Sequence, residues 1–289
     1  FGKAASDLIS KDFPGKFDVE VATKNSNLDV TSTMKLASDG TFNGALKPTF
    51  KLCKCSTLEV VLCTQGAHSM KLVNKDSLVK NLKSSAAVSC KVAKNDPSKS
   101  TQSLTLNADY TFNKGTASVN FAFPSLGVVA PKSTLAFVYS HDKIAAGAEA
   151  AFTFGNSTEL AAATANFQFA NPEYIFTASA TTSGSANFNG SIKYFYKHSK
   201  FILGSQVHYS SVAKENEPSA SADIVLAKTL SGGGVGKVLF GSNGTVGVSY
   251  KKEICDATTL NVGTKVNAAT LAQKTGVALN FSFQQFHII

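Results

Sequence analysis

The chain has 289 residues, of which 43% are hydrophobic and 16% charged, with a formal net charge of +9 and a mean hydropathy of +0.02. No window approaches the roughly 20 consecutive apolar residues of a membrane-spanning helix, which excludes a helical membrane protein. All 28 basic residues are Lys, spread along the chain without a basic tail, whereas nucleic-acid binders lean on Arg forks for phosphates and bases; no nucleic-acid partner is expected.

The first fifteen residues differ in kind from the rest. Ala4, Ala5, Leu8 and Ile9 follow helical spacing, with Phe1 and Asp12 flanking in register, while Lys3, Asp7 and Lys11 fall at i, i+4 and i+8 on another face. This predicts a short amphipathic helix, ended by Pro14-Gly15, over residues 1–15. Such a helix could lie on a membrane surface or against the inner wall of a barrel, and periodicity alone does not choose. The same opening residues lack an apolar signal-peptide core and a small-residue cleavage site, so export is not expected.

From residue 16 to 289 one pattern repeats: segments of about ten residues alternate with period two and are broken by Gly, Asn, Asp, Pro, Ser and Lys clusters. In 16–24, Phe17, Val19 and Val21 oppose Asp18, Glu20 and Lys24. In 28–36, Leu28, Val30, Met34 and Leu36 oppose Asp29, Thr31, Thr33 and Lys35. The further segments are 40–52, 55–64, 68–74, 82–93, 102–112, 115–123, 134–141, 143–154, 158–169, 173–181, 185–197, 200–210, 219–228, 233–241, 244–252, 258–266 and 275–283, nineteen in all, of which 55–64, 68–74 and 233–241 alternate least clearly. The apolar faces are nearly free of charge, and the polar faces hold Ser, Thr, Asn, Gly and Lys. A soluble sheet would carry more charge toward bulk water. Ten-residue strands of this kind fit an all-β transmembrane barrel of about 19 strands, in which each backbone group finds a partner.

Enzymatic chemistry finds no foothold. Ser231-Gly232-Gly233-Gly234-Val235-Gly236-Lys237 resembles a phosphate loop only superficially, because Ser231 replaces the first glycine and Val238 the hydroxyl residue after the lysine, so it reads as a turn between strands. His68, His141, His198, His208 and His287 have no metal-ligand spacing, and no cofactor is implied. The five cysteines are odd in number, and Cys53-x-Cys55 is tighter than a CxxC pair, so buried or lipid-facing thiols in strands are expected. Lysines on the polar faces (Lys35, Lys47, Lys51, Lys83, Lys91, Lys193 and Lys265, with Lys3 and Lys11 from the helix) would concentrate anions inside a pore. Asp7, Asp18, Glu20, Asp29 and Asp109 would oppose them, so the preference should be mild.

The opening Gly2-Lys3-Ala4-Ala5-x-Asp7-Leu8, Pro14-Gly15 and Lys16-Phe17-x-Val19 resembles the start of the mitochondrial voltage-dependent anion channels. Gly244-Thr245-Val246-Gly247-Val248-x-Tyr250, Thr259-Leu260 and Lys274-Thr275-Gly276-Val277-Ala278-Leu279-Asn280-Phe281 resemble that family's end; the tally of nineteen equals the strand number of the mitochondrial channel. The resemblance implies a helix in or near the lumen, passive diffusion of small anions and nucleotides through the mitochondrial outer membrane, and an insertion signal carried by Lys274, Gly276, Val277, Leu279 and Phe281. It also implies a nucleotide contact at Leu82 and Lys83, although Asn81 stands where the family's Gly-Leu-Lys triplet has glycine. The family's lipid-facing Glu has no clear counterpart, and Glu59 is the nearest acid. Partners implied are membrane lipids; barrels of this kind can form homo-oligomers or larger membrane assemblies, but no interface stands out. Rival readings are the related protein-conducting translocase pore, which the lack of an acidic lumen disfavours, a soluble lipid-binding β protein, and a bacterial porin.

Overall fold

Strict alternation of an apolar and a polar side chain has one backbone solution, the extended strand, whose successive side chains leave opposite faces. The computed structural model bears this out throughout the residues it describes. It describes residues 1–11, 17–24, 26–36, 41–76, 79–92, 100–124, 131–155, 157–184, 187–212, 219–255, 257–268 and 272–284. One helix, α1 (Lys3–Ser10), precedes β1 (Phe17–Lys24), β2 (Leu28–Leu36), β3 (Phe42–Cys53), β4 (Ser56–Cys63), β5 (Ala67–Lys75), β6 (Leu82–Lys91), β7 (Thr101–Phe112), β8 (Gly115–Phe123), β9 (Lys132–His141) and β10 (Ile144–Phe154). There follow β11 (Thr158–Ala170), β12 (Tyr174–Ser183), β13 (Asn187–Lys197), β14 (Ile202–Ser210), β15 (Ala220–Thr229), β16 (Val235–Gly241), β17 (Thr245–Cys255), β18 (Thr258–Asn267) and β19 (Ala272–Gln284).

Each expected segment holds a strand, including the three whose alternation was least clear, now β4, β5 and β16. Sequential strands pair antiparallel, as in β5 with β6 and β12 with β13. The sheet closes because β1 pairs with both β2 and β19. With an odd number of strands that reverse at every turn, β1 and β19 run the same way, so the closing pair is parallel and the 19-stranded β-barrel is mixed. The expected helix over 1–15 is shorter, because Lys11 adopts extended torsions (φ −82°, ψ 157°). The Pro14-Gly15 break, and Asp12 with it, lies outside the described residues.

The fold comprises two compact units. One consists of Phe1–Asp18, Ser140–Ala148 and Ala162–Asn280; the other of Val19–Tyr139, Glu149–Ala161 and Phe281–Ile289. In the second unit, cross-strand register lines up an apolar row of Phe50, Leu58, Leu72, Ala86, Leu106 and Phe121 from β3 to β8. One residue along, on the other face, run Thr49, Glu59, Lys71, Ala87, Thr105 and Ala122. The first unit repeats this: Phe188, Ile192, Val207, Ile224, Leu226, Phe240 and Val248 are exposed on one face. In water such a surface would drive aggregation; against lipid it is the ordinary outer wall of a barrel, and the polar face is the inner one. Turn chemistry serves the same register. Between β15 and β16, Leu230 donates its N–H to the Gly234 carbonyl at 2.7 Å and Gly233 takes φ 78°, so the glycine run ending at Lys237 is a hairpin and Lys237 lies within β16.

A charge on the outer face meets hydrocarbon, and one on the inner face meets water. Ile192→Lys should therefore cost about 2–4 kcal/mol in denaturant unfolding from lipid vesicles, and Ser191→Lys less than about 1 kcal/mol; equal costs would contradict the facing.

Candidate functional site: the pore face and its docked helix

In the unit that contains α1, two neighbouring cross-strand rows build the inner wall beneath the helix. The first runs Gln168, Thr177, Lys193, Gln206 and Asp223 from β11 to β15. The second runs Phe195, Gly204, Val225, Leu239, Gly247 and Lys265 from β13 to β18. The polar row holds the start of the helix. Gly2 donates its backbone N–H to Gln168 Oε1 at 3.2 Å, and Lys193 Nζ donates to Ser6 Oγ at 2.9 Å. Gly2 has φ 64°, and a Cβ there would stand 2.7 Å from Lys193 Cδ, so both torsion and space require glycine.

The apolar row takes the helix's buried face. Leu8 and Ile9 pack with Val225, Ala227 and Leu239, and Phe195, Ile202 and Val235 flank them. Val225 is fully buried although it belongs to a face that is elsewhere polar. A Cβ on Gly204 would lie 2.8 Å from Leu8 Cδ2, so this glycine is the recess into which Leu8 fits. Each fully buried Leu or Ile side chain contributes about 1.5–3 kcal/mol. The helix therefore lies against the inner wall, not on a membrane surface.

Lys3, Asp7 and Lys11 occupy the side of the helix turned away from this wall. Asp7 pairs with Lys3, and Lys11 Nζ lies 3.1 Å from Asp7 Oδ2. Hydrogen bonds first from Lys3 and then from Lys11 hold the Asp7 carboxyl below its usual range, and the bond to Asp7 holds the Lys3 ammonium above its own. A lowered carboxylate value means that this pairing contributes above the unfolded carboxylate range and fades only as pH falls through the lowered value. At neutral and mildly acidic pH the helix thus presents two cations around one anion. Of the other expected residues in this unit, Asp18 is half-buried on β1, and Lys265 lies within electrostatic reach of Asp223.

In the other unit the inner face carries Lys35, Lys47, Lys51, Lys83 and Lys91, and Glu20 is exposed on β1. Lys51 Nζ lies 3.1 Å from Asp29 Oδ1. Lys83 sits between Lys75 on β5 and Asp109 on β7, so its charge is reinforced on one side and offset on the other. Lys91 stands opposite Thr101, Lys47 opposite Thr31 and Lys35 opposite Asn43. Leu82 is one residue from Lys83, so alternation sends it to the apolar face opposite Tyr110; the two side chains do not converge on one ligand. Asn81 takes φ 66°, a left-handed conformation that Asn tolerates better than most non-glycine residues. Glu59 pairs with Lys71 and Thr49 on the inner face. Of the insertion-signal residues, Val277, Leu279 and Phe281 are half-buried on β19, and Lys274 and Gly276 lie on the same strand.

Sequence reasoning missed Gln168, Gly204, Val225 and Leu239. The signal was present: Ile224-Val225-Leu226-Ala227 and Val238-Leu239-Phe240 are apolar on both faces, which a strand between lipid and water has no reason to be. Among the described residues no three His, Cys, Asp or Glu side chains gather as metal ligands.

A closed barrel with an apolar outer wall, a charged inner wall and a helix lodged on that wall is a membrane-spanning pore. The profile of the eukaryotic porins matches residues 1–276, and the chain belongs to the eukaryotic porin family. Its members are porin-type channels, not enzymes. No curated protein matches the chain.

Filling the Gly204 recess should release the helix. Gly204→Val is expected to speed tryptic cleavage after Lys3 and Lys11 in the folded protein by roughly tenfold, the change in population that about 1.4 kcal/mol of lost docking produces. Gly190→Ala, on the outer face, should leave cleavage unchanged, and equal rates in all three proteins would refute the docking.

Proposed function

We propose that the protein is a voltage-dependent, anion-selective channel of the mitochondrial outer membrane that lets small anions and metabolites, nucleotides among them, diffuse passively. The observation that carries this reading is the sign of the inner-face charge. Lys35, Lys47, Lys83, Lys91, Lys193 and Lys265 face inward on strands, and the helix adds Lys3 and Lys11. Cations lining a water-filled pore raise the local concentration of anions and lower that of cations without binding any one of them tightly. Asp29, Glu59 and Asp109 on the same face temper the field, so chloride should pass more readily than potassium by a modest factor.

Voltage dependence would follow from the helix. Its charged side chains lie within the transmembrane field, where moving one elementary charge through the whole drop is worth about 2.3 kcal/mol per 100 mV. Its hold on the wall rests on a few apolar contacts and two hydrogen bonds, which is of the same order. The resemblance of both chain ends to the mitochondrial channels supports the mitochondrial location.

Reconstitution in a planar bilayer under a potassium chloride gradient tests the selectivity. The expected reversal potential has the sign of anion preference, and replacing Lys47 and Lys91 together with Glu should move it toward cations. A cation-selective wild type, or a reversal potential indifferent to the double charge reversal, would refute the proposal.

A further inference from the structure

The tight turn joining β3 to β4 brings together two thiols that the pore does not use. Cys53 is the last residue of β3 and pairs with Ser56, the first of β4, after a register shift that follows Lys51. Lys54 and Cys55 form the turn. Cys53 is exposed and Cys55 half-buried, and their Sγ atoms lie 3.2 Å apart. The sequence expectation of thiols within strands holds for Cys53 and not for Cys55, which falls in the turn. A CxC spacing is short for a metal or redox pair, yet the bulge and turn fold the two side chains onto the same spot.

Both ends of this arrangement are fixed by backbone. The Cys53–Ser56 pair closes the hairpin, and the Cys55 carbonyl accepts the Lys75 N–H from β5 at 2.7 Å. The thiols consequently meet without a change of fold, and the remaining approach to a bond of about 2.05 Å requires side-chain rotation and small adjustments of the turn. Lys54, exposed between them, gives an anionic reagent an attractive charge on approach.

We infer that Cys53 and Cys55 form a reversible dithiol–disulfide site that exchanges with small anionic disulfides of the oxidised-glutathione class. One cysteine thiolate attacks a sulfur of the reagent, forming a mixed disulfide and releasing one glutathione thiolate. The second cysteine thiolate then attacks the protein sulfur of that mixed disulfide and releases the second glutathione. Two protein S–H bonds are lost and one S–S bond forms, while the reagent is reduced to two thiols that take up the two protons. The short separation makes the second step intramolecular, so the mixed disulfide does not persist.

The test uses the full folded chain in lipid vesicles, treated with oxidised glutathione and then assayed for free thiols and by peptide mass mapping. The five free thiols should fall to three, with residues 53–55 lighter by two hydrogens, carrying no glutathione, and restored by reduced glutathione. Cys53→Ser and Cys55→Ser should each accumulate a glutathione adduct on the cysteine that remains. Five persistent thiols in the wild type, a stable adduct at Cys53 or Cys55, a bridge involving Cys63, Cys90 or Cys255, or a disulfide between two chains would each overturn the assignment. So would wild-type behaviour in both serine variants. Mass mapping of the unsubstituted chain decides the matter even if a variant folds poorly.

Discussion

A peptide group in hydrocarbon has no water to bond with, and leaving an N–H or C=O unpaired there costs several kcal/mol. Everything else in this molecule follows from meeting that demand with strands. An open sheet would leave two edges unpaired; pairing β1 with both β2 and β19 leaves none. Once closed, a strand must send alternate side chains to lipid and to the interior, and the sequence has to obey both solvents at every second residue. That is why the row Phe50, Leu58, Leu72, Ala86, Leu106 and Phe121 runs unbroken beside Thr49, Glu59, Lys71, Ala87, Thr105 and Ala122.

The inner wall departs from this pattern where the helix lies. Val225, Ala227 and Leu239 are apolar residues on a polar face, and they are buried by Leu8 and Ile9. Beside them, Lys193 and Gln168 bind Ser6 and Gly2. The dock therefore has an apolar half that supplies adhesion and a polar half that sets position. The side of the helix turned away from the wall carries the paired Lys3, Asp7 and Lys11. A wall built this way holds the helix by contacts worth on the order of a few kcal/mol.

The barrel was legible in the sequence because its period is two everywhere and its two faces differ in charge, a signal that survives nineteen repetitions even when β4, β5 or β16 alone is weak. The helix was legible as a helix, though its end was not, since Lys11 turns extended. Its location was not legible from its own residues. Amphipathicity describes one partner of a contact; the other partner was Ile224-Val225-Leu226-Ala227, whose doubled apolarity makes sense only with something lying on the inner side. Gly204 was likewise unreadable, because a glycine in a strand announces a close approach without naming what approaches. At Asn81 nothing in the sequence hinted at the left-handed torsion the residue adopts (φ 66°).

The lysines share one fate, in that their inward placement follows from alternation while their net effect depends on neighbours that only register reveals. Lys83 between Lys75 and Asp109, and Lys51 against Asp29, are cases where one residue's slip would change the local sign. The measurement that tests this account most directly is a cysteine scan along β13 in a background where the native cysteines are replaced by serine. Each position from Asn189 to Lys193 would be probed in lipid vesicles with a water-soluble thiol reagent and with a lipid-dissolved quencher. The account predicts a period of two, with Asn189, Ser191 and Lys193 labelled from water and Gly190 and Ile192 quenched from lipid. Uniform labelling, or the opposite phase, would contradict it.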